Sequence, residues 1–194
     1  YEMLRSLVGS EMCIRDRKDS LLDFTEVMTM LGTATNMTAD EAATALARFA
    51  NITGTSADNY DRLGSVIVAL GNNFATTESE ITAMATRLAS AGTLAGLSES
   101  EILALSAAMS SVGIEAEAGG TAMTETMNAI ETAVAQGNET LTEFARIAGM
   151  TSAEFAATWE SDAMSALESF ISGLGQLDEQ GENTVLVLED LGLT

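Results

Sequence analysis

SADNYDRLGSVIVALGNNFATTESEITAMATRLASAGTLAGLSESEILALSAAMSSVGIEAEAGGTAM, residues 56–123, decides the fold, because helix signals follow one another there with almost nothing left over. Ser56 stands as a cap before Leu63, Val66, Ile67, Leu70 and Phe74, whose spacing is the stripe of a helix with one buried face. Thr77 and Glu80 then form a capping-box pair ahead of Ile81, Met84, Ala85 and Leu88. Ser98 and Glu101 repeat the device ahead of Ile102, Leu105, Met109 and Val112, and Gly113 stops that helix. Short amphipathic helices in a row hide their apolar faces from water only by packing on one another. The expected centre of the core is therefore Leu63, Val66, Ile67, Leu70, Ile102, Leu105 and Met109.

Working outward toward the start, the spacing predicts a helix over Ser20–Thr33 with Phe24, Val27, Met28 and Leu31 on one face. Thr38 and Glu41 box the next, which carries Ala42, Ala45, Leu46, Phe49 and Ile52 and ends at Gly54. Residues 20–113 thus read as five helices. Toward the end, Met123, Met127, Ile130 and Val134 form a stripe closed by Gly137, and Leu141, Phe144 and Ala148 a short one closed by Gly149. Thr151 and Glu154 box a helix bearing Phe155 and Trp159, and Met164, Leu167, Ile171 and Leu174 follow, with Gly173 and Gly175 marking the exit. A polar turn over 178–183 leads to a last helix through Val185, Leu188 and Leu191. The fold class is all-α, a compact array of about eight to ten short amphipathic helices with short capped turns. Gly119-Gly120 is unusual inside helix-forming sequence, and serves either as a hinge or as a close helix contact or helix start. The helical part is organised as one module over 18–194, with two subunits meeting near Gly113–Gly120.

Composition agrees. The chain of 194 residues is 46% hydrophobic but only 5% aromatic, so the core is expected to be aliphatic, and proline is absent. No run of about 18 apolar residues exists, so no membrane span is expected in this segment. With 8 basic against 29 acidic residues the net charge is −21, which repels phosphates and disfavours direct nucleic-acid binding. Such charge keeps the surface solvated, or faces a basic partner.

Residues 1–17, YEMLRSLVGSEMCIRDR, do not behave like the rest: they hold Arg5, Arg15, Arg17 and the one cysteine, Cys13, without a stripe or a cap. They contain no apolar h-region of a secretory leader. The string reads as translated sequencing-adapter read-through on a metagenomic fragment, with the genuine chain starting near Lys18. The chain also stops in mid-pattern at Leu193-Thr194, so it is expected to be a fragment at both ends.

The search for chemistry is mostly negative. The absence of histidine removes the Ser-His-Asp and Cys-His arrangements and the ordinary zinc sites. Lys18, the one lysine, lies far from any glycine cluster, so there is no phosphate loop. Asp58-Asn59-Tyr60-Asp61 lacks the alternating oxygen ligands and glycine of a calcium loop. Carboxylate pairs such as Glu115 with Glu117, or Glu78 with Glu80, are better explained as solvated helix starts, where acids favour the first turn. The eleven methionines suit core filling more than an adaptable groove, and Trp159 suits a buried anchor. The expectation is no catalytic residues, no metal, no cofactor and no enzyme.

Residues 47–123, ARFANITGTSADNYDRLGSVIVALGNNFATTESEITAMATRLASAGTLAGLSESEILALSAAMSSVGIEAEAGGTAM, resemble the conserved core of phage tail tape-measure proteins of the minor tail protein type. LGNNFATTESEI and SSVGIEAEAGG are the most specific stretches, and residues 23–46 and 143–194 are similar to the same family. The resemblance implies a structural virion protein, longer than this chain, that sits in the tail interior and sets tail length. It implies as partners the tail tube protein, tail assembly chaperones and other copies of itself. The helices here are too short and too often capped to be the ruler. The segment is therefore expected to be a compact module beside it. Composition alone also allows an acidic helical adaptor without a phage role.

Overall fold

The computed structural model describes residues 25–56 and 59–193, and among them there are ten helices and no strand. The first helix, α1, covers 25–34 within the described residues. Then come α2 (Ala39–Thr53), α3 (Tyr60–Asn73), α4 (Glu78–Leu94), α5 (Glu99–Ser111) and α6 (Ala116–Gln136). The array closes with α7 (Glu139–Ile147), α8 (Ser152–Ser161), α9 (Ala163–Glu179) and α10 (Thr184–Asp190). The all-α array expected from the stripes is what forms. Residues 1–17, Phe24 and Asp58 lie outside the described residues.

The starts of α2, α4, α5 and α8 are set locally. At each, the Thr or Ser hydroxyl accepts the N–H three residues on, while the Glu at that position reaches back to the cap's own N–H: Thr38–Glu41, Thr77–Glu80, Ser98–Glu101 and Thr151–Glu154. Ser56 does not play this part. Its carbonyl accepts the N–H of Asn59, and α3 starts at Tyr60 behind Asn59, without a side-chain cap. At the far end of α2, Gly54 takes the left-handed conformation, φ 75°, that ends the helix.

The boxes also couple stability to pH. Hydrogen bonds hold three of these carboxyls below the usual range: for Glu41 chiefly the N–H of Thr38, for Glu80 chiefly the Thr77 hydroxyl, and for Glu154 chiefly the Thr151 hydroxyl. A carboxyl whose folded pKa is depressed contributes stability above its unfolded value, about 4.3 for Glu, and loses it as pH falls through the folded value. Thermal unfolding of the native chain and of a Glu41→Gln/Glu80→Gln/Glu154→Gln variant should therefore differ most at about pH 7 and converge by about pH 3. An unchanged difference between the two pH values would contradict the charge-assisted caps.

Helix α4 is the hub, packed against α2, α3, α5 and α6. Its Ile81, Met84, Ala85, Leu88 and Ala89 are all buried, with Ile67 of α3 and Ile102 of α5 beside them in the same core. The stripes are corrected in detail. Leu63, Ile67, Ile102 and Met109 are buried as expected, but Val66, Leu70 and Leu105 are only half-buried. Leu103, Ser106 and Ala107 are buried instead, because α5 packs against both α3 and α4 and so hides a broad arc, not a narrow stripe. Ile52, Phe74, Val112 and Ile171 reach solvent.

The second half departs from an aliphatic core. Phe144 of α7 stacks on Phe155 of α8, with centroids 6.3 Å apart, and meets Phe170 of α9 edge-on at 5.1 Å. All three are buried, so the few aromatics suffice by being concentrated in one place. Gly173 and Gly175 do not mark an exit either: α9 runs through both to Glu179, and its reversal comes at Gln180–Gly181. α6, the longest helix among the described residues at 21 residues, packs on α4 and on α7, and the buried residues from Met28 to Leu191 form one cluster.

Candidate interaction surface

The residues singled out for chemistry do not converge. Glu80 is engaged in its capping box while Glu78 lies against Gly71, and Glu115 caps α6 with no side-chain bond. Glu117 comes within 3.9 Å of the exposed Arg87 guanidinium, a pair worth little in water. No group of three or more His, Cys, Asp or Glu among the described residues is placed to hold a metal ion. Trp159 is a buried anchor whose indole N–H donates to Glu131 Oε2 of α6 at 2.8 Å, which satisfies its one polar atom. Met28, Met37, Met84, Met109 and Met127 fill the core, and Met30 lies on the surface. Gly119 and Gly120 lie within the first turns of α6, against α4. A Cβ on Gly119 would collide with Ile114, and one on Gly120 would sit 2.9 Å from Arg87 Cβ. They are a close helix contact.

What the fold does assemble is a surface. The turns over 35–38, 74–77 and 112–115 gather at one end of the first six helices. The Asn36 amide donates to Ser79 Oγ at 3.0 Å, and Thr76 Oγ1 donates to Ser110 Oγ at 2.8 Å, tying the three turns together. The opposite end is fastened by Thr55 Oγ1 donating to Glu99 Oε1 at 2.9 Å.

Helices α2, α4 and α6 all begin at the first of these ends, so their N-terminal acids collect there: Asp40, Glu41, Glu78, Glu80, Glu115 and Glu117. Among the described residues the basic side chains are Arg48, Arg62, Arg87 and Arg146, and none belongs to these turns or to the first turns of α2, α4 or α6. Phe74, Val112 and Ile114, in two of these turns, have 42%, 75% and 40% of their surface exposed. Spacing alone assigns Phe74 and Val112 to buried stripes. Both lie just past the ends of their helices, beyond the neighbours that would cover them. Their exposure has no local signature.

Among the described residues no helix is long and apolar enough to cross a membrane. The sequence model of the phage-related minor tail protein family matches residues 16–188. The chain belongs to that family. No curated protein and no solved structure matches it. The match spans all the helices of this minor tail family member up to α10, and with them the whole acidic end. A structural role in a phage tail follows from the membership.

Proposed function

We propose that this segment is the compact conserved module of a tail tape-measure protein, placed in the tail interior, which supplies assembly contacts while the length-setting portion is extended helix elsewhere in the protein. The observation that carries the reading is the packed array of short helices itself. In a rod each residue adds about 1.5 Å of length, whereas here short helices pack on one another around one buried cluster, so residues add to a packed body. The family membership supports a tail role, and the resemblance of residues 47–123 to tape-measure proteins supports the finer one. The module works by binding and without catalysis, its partners being the tail tube protein, the tail assembly chaperones and other copies of itself.

Deleting residues 47–123 from the complete gene should abolish tails or leave them defective in electron micrographs. Deletions in the extended helical portion should give shorter, complete tails. Tails that shorten in proportion to residues lost from 47–123, at about 1.5 Å each, would make this segment part of the ruler and reject the reading.

A further inference from the structure

We infer that the end formed by the turns 74–77 and 112–115 is a docking surface for a cationic, apolar-anchored protein segment: a bulky aliphatic or aromatic side chain flanked by Lys or Arg. This rests on the reading of the segment as a docking module and names its surface and the chemistry of its partner.

Two independent features carry it. Phe74 and Val112 each lie two residues from the Thr76–Ser110 bond and Ile114 four residues from it, and all three keep 40% or more of their surface exposed, Ile114 with its Cγ2 against Gly119. At the same end, the carboxylates of Asp40, Glu78 and Glu115 have no hydrogen bond or ion pair among the described residues, and Glu117 has only the 3.9 Å approach of Arg87. Helix dipoles account for acids at the starts of α2, α4 and α6. They do not account for exposed apolar side chains at the same end as the acids, a combination that marks a protein interface. Charge then selects the occupant. A second copy would oppose the same carboxylates to one another, and nucleic acid would bring phosphates to them. A segment with Lys or Arg on either side of an apolar anchor meets both features at once.

The test is calorimetric titration of the full chain with a synthetic helix-forming peptide carrying a Leu stripe flanked by Lys. Two companions serve as controls, one with Lys replaced by Glu and one with Leu replaced by Ser. Only the first should bind, and amide shifts should change at 74–77 and 112–115. Val112→Asp should weaken binding about tenfold or more, the loss expected of a central anchor. The side chain is largely in water, so this change leaves folding intact. Asp adds negative charge, so association driven by net charge alone would strengthen instead. Leu94→Asp, an exposed site at the opposite end, should change binding little. Equal binding of the Glu peptide, shifts mapping elsewhere, undiminished binding by Val112→Asp, or self-association of the chain abolished by Val112→Asp would each overturn the proposal. Defective tails from the 47–123 deletion together with a failed titration would reject this surface and leave the docking role standing.

Discussion

Phe144→Ala should destabilise the protein by about 3–5 kcal/mol, the range for removing a fully buried Phe ring whose site collapses only in part. Phe144 is 0% exposed and is shared by three helices, through the stacked contact with Phe155 of α8 and the edge contact with Phe170 of α9. Its loss opens a void where α7, α8 and α9 meet. Against a total stability of about 5–15 kcal/mol this is a large share. In a chain of this size it should lower the melting temperature by roughly 10 °C, measured by circular dichroism. A loss under about 1 kcal/mol would show that the three rings do not form the centre of the second half.

Gly173→Ala should also destabilise, by about 1–3 kcal/mol, although alanine is the better helix former. Gly173 lies inside α9, buried, where a Cβ would fall on the carbonyl oxygen of Ile147 at the end of α7. That atom is backbone, so relief requires the two helices to move apart and loosens the Phe144–Phe170 contact beside it. Gly175 provides the control. It is two residues along the same helix, exposed, and a methyl group there would meet nothing within 4 Å, so Gly175→Ala should stabilise by about 0.4–1 kcal/mol. Chemical denaturation of the two single variants should give opposite signs. Matching signs would mean that α9 does not approach α7 this closely.

The same pair of glycines shows where sequence reasoning stops. Both read as exit signals, because a glycine near the end of a stripe usually is one. Whether a glycine ends a helix or admits a neighbour depends on what lies opposite, and Ile147 is remote in sequence. For the same reason Gly119 and Gly120 stay open between hinge and close contact until Ile114 and Arg87 are seen to stand against them.

Local sequence is enough to set the helices and where most of them begin. The capping boxes at Thr38, Thr77, Ser98 and Thr151 each lie within four consecutive residues, and their hydrogen bonds form between neighbours whatever the rest of the chain does. The stripes also fix which face of most helices turns inward, as Ile81, Met84, Ala85 and Leu88 show. How wide each buried face is, why Leu103 is covered and Leu105 half so, and that Phe74 and Val112 stay in water all depend on the assembled fold. Packing of the helices brings Asn36 to Ser79, 43 residues apart, and with them the acidic starts of α2, α4 and α6 to one end. Burial and charge clustering are sums over neighbours from several helices. Periodicity along one helix carries no record of them.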